Sequence, residues 1–141
     1  MSDLSPQSSS PCTLQYDSVH SVLLQTWNGD LVDELLVQGH EIGQRAIAQF
    51  KPRAIISDFS LVSSFKVSSQ CIQGLAMLEP VALRDQPLIL VAGAEHIYGM
   101  ARMYEILNEA RRAGLTAVHT LEEAYSTIEL TDPQFEPIEL P

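Results

Sequence analysis

Hydrophobic periodicity in this chain switches repeatedly between about 2 and about 3.6 residues, and this alternation restricts the fold more than any other feature. Two short, continuously apolar runs, Arg53–Ser57 (RAIIS) and Pro87–Ala92 (PLILVA), are bounded by turn signals, as expected of strands covered on both faces. Each is followed by residues that repeat with a helical period. Strands alternating with helices through connections of this length predict βα units and a parallel core sheet with right-handed crossovers.

The remaining elements follow from local signals. Thr13–Tyr16 and Val19–Thr26 are β-rich and joined by Asp17 and Ser18, which predicts a leading hairpin. Trp27-Asn28-Gly29-Asp30 reads as punctuation, with Asp30 as N-cap of a first helix whose apolar positions are Leu31, Leu35, Ile42, Ala46, Ile47 and Phe50 and which ends at Lys51-Pro52. Gly39 and Gly43 lie one turn apart inside it and imply a close packing contact or a break. Asp58 to Lys66 (DFSLVSSFK) reads as a loop and Val67–Leu78 as a second helix, closed by Glu79-Pro80. Pro87–Ala92 is expected to be central. Tyr98–Arg112 reads as a third helix, with Met100, Met103, Tyr104 and Leu107 toward the core and Arg-Arg-Ala-Gly as its stop. Thr116–His119 gives a last strand, and Thr120-x-x-Glu123 a capping box on a helix running to about Ile128.

At 141 residues one domain and one core are expected. Residues 1–11, with five serines and two prolines, predict a mobile tail, residues 12–130 the domain, and residues 131–141 an extended tail on which Phe135 or Ile138 docks. The opening lacks both a basic stretch and an apolar core, so no secretory signal is expected and the assumed setting is cytoplasmic and bacterial. A formal net charge of -10 argues against nucleic acid and anionic membrane as partners.

Loops at the carboxyl ends of parallel strands share one rim, where ligands and partners bind. That rim should gather Asn28, Asp30, Asp58, Ser60, Glu95, His96, His119 and Thr120, with Ser68, Ser69, Tyr98 and, one turn further, Arg102 from helix starts. A hydrolase would need His96 or His119 within reach of Ser60 or Ser68, oriented by Asp58, yet no G-x-S-x-G turn is present. His96 and His119 also fit structural roles, and Arg102 fits either an ion pair with Glu105 or Glu95 or an anion contact. No spacing of Cys12, Cys71 or the four histidines resembles a metal site, and Gly93 and Gly99 make no phosphate loop, so no metal and no cofactor is expected.

The segment Asp58-Phe59-Ser60-x-Val62-x-x-Phe65-x-x-Ser68-Ser69 resembles the D-[LF]-S-x-V-x-x-[MF]-D-S-S signature of the sulfate transporter and anti-sigma-factor antagonist (STAS) domain. Gly99-Met100-Ala101-Arg102-Met103-Tyr104, followed by Thr120-Leu121-Glu122-Glu123-Ala124, is similar to the closing elements of STAS-like bacterial proteins of unassigned role. The resemblance, over about Thr13–Ile128, implies an α/β fold with a mixed, mostly parallel sheet, alternating helices and a leading hairpin. It also implies a non-enzymatic regulatory module that binds a regulator or kinase-like protein, or a second copy of itself. The binding residues expected are Asp58, Ser60, Lys66, Ser68, Ser69, His96, Tyr98 and Arg102. In phosphorylation-controlled members a serine directly after an Asp at the start of the second helix accepts phosphate. Those places read Lys66 and Val67 here, so the usual switch is expected to be lost, and a Lys66→Asp, Val67→Ser variant to regain an acceptor. Phosphate on Ser68 would instead be held by Lys66 and the helix N-terminus. The competing expectation is a small-molecule or lipid pocket under the rim, marked by an apolar cavity beside Arg102.

Overall fold

Buried and exposed side chains begin to alternate at Cys12, and β1 (Cys12–Asp17) and β2 (Val22–Val32) fold back on each other as the expected antiparallel hairpin. The computed structural model describes residues 10–78, 86–109 and 114–140. Most of the N-terminal tail (residues 1–9), Glu79-Pro80 and Arg111-Arg112-Ala113 lie outside the described residues. Pro11, just before β1, is tied to the sheet: its carbonyl accepts from the Asn28 N–H at 3.1 Å.

β2 does not stop at Trp27. Its pairing with β3 shifts register between Thr26 and Asn28 and between Gly29 and Asp30, and Gly29 takes φ 76°. A residue free to adopt positive φ lets the strand kink without ending. The Asn-Gly-Asp signal is therefore a bulge, and Leu31 is fully buried on a strand. Asp30 caps nothing; its carboxylate accepts from the Ser64 hydroxyl at 3.0 Å across to β3. Helix α1 (Asp33–Phe50) starts after Val32 with Asp33 and Glu34 at the positive end of its dipole. It ends at Lys51, which is left-handed with φ 49°.

The serine-rich stretch after Ser57 is the second correction. β3 runs from Ala54 to Lys66, its distal part held by parallel pairing of Leu61–Lys66 with Asn28–Val32, while Phe59, Val62 and Phe65 pack on the helix side. Helix α2 (Ser69–Ala76) follows, then β4 (Leu88–Val91), α3 (Glu95–Leu107), β5 (Leu115–Val118), α4 (Leu121–Thr127) and β6 (Glu136–Pro137). α2 is shorter than its periodicity implied, leaving Leu78 half-exposed, and α3 starts a turn early and ends at Asn108, leaving Leu107 44% exposed and not in the core.

The fold is α/β, with a six-stranded mixed sheet in the order β5-β4-β3-β2-β1-β6. β2 to β5 are mutually parallel, and β1 is antiparallel to both β2 and β6. β3 and β2 hold the centre, whereas β4 is next to the edge strand, so the most apolar run is not the central one. Ile55, Ile56, Ile89, Leu90 and Val91 are buried as expected, while Leu88, near the start of β4, is half-buried.

Strand alternation sorts the side chains onto two faces. Val22, Leu24, Ala54, Ile56, Ile89 and Val91 pack under α4 against Ala124, Ile128 and Leu130. Leu23, Trp27, Ile55 and Leu90 face α1, α2 and α3. The C-terminal segment docks as expected, Phe135 against the first cluster and Ile138 against the cluster around Leu14. Among the described residues no helix is long and apolar enough to cross a membrane.

Candidate functional site

The rim is not level. β4 stops pairing at Val91, opposite Asp58, but β3 continues another eight residues to Lys66, roughly 25 Å at about 3.3 Å per residue. β2 and β3 thus project past the sheet as a two-stranded ribbon, and the expected site residues divide into separate groups along it.

At the level of the sheet, Asp58 is 4% exposed and its Oδ1 accepts from the Ser60 N–H (2.9 Å) and the Ser60 hydroxyl (2.6 Å). This is an Asx turn closed on itself. Tyr125 of α4 feels the same carboxylate: burial and then the Asp58 charge push its hydroxyl above the ordinary tyrosine value. Asp58 and Ser60 therefore belong to the α4 side of the sheet.

At the far end of the ribbon, Ser68 caps α2. Its hydroxyl accepts from the Cys71 N–H at 3.1 Å, while the Asp33 carboxylate takes both the Ser68 N–H and the Ser68 hydroxyl proton at 2.8 Å. One carboxylate thereby ties the starts of α1 and α2 together. Phosphate on Ser68 would sit against Asp33, so the expected stabilisation by Lys66 and the helix N-terminus does not describe this serine. Lys66 and Ser69 are exposed, and Val67 between them is 8% exposed in the cluster with Trp27, Leu31 and Leu36. The phosphoacceptor position of the resemblance therefore points into the core.

The other rim residues are occupied by aromatic and ionic contacts. His96 meets the edge of Phe65 (centroids 6.3 Å), and Tyr98 stacks on His119 (3.9 Å, 18° between planes). Arg102 pairs with Glu105 at 2.7 Å, the ion-pair alternative, and the same Glu105 oxygen accepts from the outer-edge N–H of Ala117 on β5 (3.2 Å). Among the described residues no histidine hydrogen-bonds Ser60 or Ser68, and no group of three or more His, Cys, Asp or Glu side chains is placed to hold a metal. Thr120 and Glu123 form the expected capping box.

A second feature lies between the sheet and α1, α2 and α3: a cavity of about 110 Å³ walled by Trp27, Phe59, Leu75, Leu90, Met100 and Tyr104, among others. Ala101, next to Arg102, is in its wall, but the Arg102 side chain turns outward to Glu105. Three polar residues of the wall, Gln25, Ser57 and Asn108, are more than nine-tenths buried. Sequence reasoning missed all three. The available signal was Gln25 on the inward side of an apolar strand, opposite two helical glycines.

No family model matches the chain, and no curated protein matches it.

Proposed function

We propose that this chain is a non-enzymatic, STAS-type regulatory module that binds a protein partner through the β3–α2 junction and the adjoining rim. The observation that carries the reading is the use of the hydroxyls in the signature segment. Ser60 and Ser68 are committed to Asp58 and Asp33, carboxylates that orient backbone and helix ends, with no histidine to activate either oxygen. The element order, a hairpin followed by parallel βα units, supports the same assignment. Lys66 and Ser69 stand outward on either side of buried Val67 and offer a cation and a hydroxyl to a partner.

Site-specific photocrosslinking in the source cell tests this. A crosslinker at Ser69 should yield a discrete protein adduct that Lys66→Glu removes. The same group at Glu129, exposed beyond α4, should yield none. Equal yields at both positions, or none at Ser69, would refute it.

A second reading, a small-molecule-binding protein, is favoured by the cavity. Its volume is that of a single ring and leaves no room for a lipid chain.

A further inference from the structure

We infer that the space between the sheet and α1, α2 and α3 is a binding site for a neutral, largely apolar molecule the size of one aromatic ring carrying a single hydroxyl group. The inference rests on the small-molecule reading above and narrows it to a chemical class.

Size comes first. A cavity of about 110 Å³ is comparable to the apolar protein cavities that admit benzene, at about 150 Å³. Charge comes second. Among the described residues of the wall there is no Asp, Glu, Lys or Arg, so a charged guest would be desolvated without a counter-charge from any of them. His40, also in the wall, adds none: burial depresses its imidazole below the ordinary value, against a smaller opposing effect of Glu41, so it is neutral near pH 7.

Three buried wall groups keep unused hydrogen-bonding capacity among the described residues. Ser57 Oγ accepts from Trp27 Nε1 at 2.8 Å, and among the described residues nothing accepts the Ser57 hydroxyl proton. Gln25 Nε2 donates to the Gly39 carbonyl (2.8 Å) and to Cys12 Sγ (3.2 Å), which fixes the amide and leaves Oε1 without a donor among the described residues. Asn108 Nδ2 donates to the Tyr104 carbonyl at 2.9 Å and leaves its Oδ1 in the same position. Buried polar atoms are almost always paired, so the two that adjoin, on Gln25 and Ser57, mark where the polar atom of a guest belongs. Gln25 and Ser57 are direct neighbours in the parallel β2–β3 register. A single hydroxyl matches that pair, accepting from Ser57 and donating to Gln25, while the ring fills the apolar remainder.

Trp27 is the only tryptophan and lies in the cavity wall, so its fluorescence reports occupancy directly. Phenol, toluene and benzoate are the probes. Phenol should change Trp27 emission saturably and raise Tm. Toluene should bind about tenfold more weakly, the worth of one hydrogen bond. Benzoate should give no response. Ala101→Leu, which fills the wall from α3, should abolish the phenol response while the protein stays folded, with Leu75→Phe as a second filling variant should the first unfold. Ser57→Ala should bring phenol down to the toluene level. Absence of a saturable phenol response in folded wild type, or its survival in a folded filling variant, overturns the proposal. Native mass spectrometry of protein purified from its own cells separates the two failures: a retained charged or long-chain molecule overturns the ligand class but leaves the small-molecule reading standing.

Discussion

The six-membered ring of the Trp27 indole packs against the backbone of Gly39, so close that a methyl group at residue 39 would overlap Cζ3 and Cη2. The same indole stacks on Phe59 at 5.2 Å and donates to Ser57, so it has no room to retreat. Alanine would gain about 1 kcal/mol of helix propensity but lose more, about 1–3 kcal/mol, to overpacking. Gly39→Ala is therefore expected to lower Tm. At Gly99 of α3 an added methyl meets nothing within 4 Å, and Gly99→Ala should raise it. Thermal denaturation of both variants checks the opposite signs.

Asp33 and Ser68 should be strongly coupled. Ser68→Glu removes the α2 cap, at about 1 kcal/mol, and places a second carboxylate beside Asp33. In an Asp33→Asn background the repulsion disappears. Denaturant titration of the four proteins in this cycle should give a coupling of about 1 kcal/mol, within the usual range for residues in contact. Because Val67 is buried, neither wild type nor the Lys66→Asp, Val67→Ser variant should take up phosphate from a kinase that modifies STAS serines. Stoichiometric phosphate on residue 67 by fragment mass spectrometry would contradict the placement of that side chain.

Asp17 holds the C-terminal segment. Burial raises its carboxyl, but the N–H groups of Gln134 and His20 and the His20 ring outweigh that and hold it below the ordinary carboxylate value. A depressed folded value means the contribution is complete above the unfolded value near about 4 and fades as pH falls through the folded one. The stability gap between wild type and Asp17→Asn should accordingly be full at pH 7 and shrink below about pH 4. Hydrogen exchange at neutral pH should show the Gln134 and Ile138 amides opening faster in the variant, since both bond to β1 (Asp17 and Leu14).

Cys71 is expected to be a slow thiol. Burial raises its value first, and the Asp33 and Glu34 charges and the Asp33 hydrogen bond raise it further. At pH 8 a disulfide reagent should label it more slowly than free cysteine, and Asp33→Asn should accelerate the reaction, because the thiolate is the reactive form.

Elements decided by their own residues were legible in the sequence. Ile55, Ile56 and Ile89–Val91 could only be buried strands, and Thr120 with Glu123 could only begin a helix. The ribbon was not legible because its residues are locally ambiguous. Asn28-Gly29-Asp30 and Ser60–Ser64 have the composition of turns, and only their pairing with each other, some thirty residues apart, makes them strands. The cavity was hidden for a related reason. Gln25, Ser57 and Asn108 come from two strands and a helix end, and no spacing along the chain brings them together. Leu107 shows the reverse error: the inward stripe of α3 runs through Ile97, Ala101, Tyr104 and Asn108, and Leu107 lies one position off it.

The two ends of the sheet bear on how the protein behaves when crowded. An outermost strand with free N–H and C=O groups is a template for another chain and the usual seed of fibrils. Here one outer strand is two residues long and contains Pro137, which has no N–H to offer. The other is four residues long, and the Ala117 N–H on its outer edge is already held by Glu105. With Asp132, Glu136 and Glu139 repelling like chains near the first end, strand-by-strand polymerisation finds little foothold at either end.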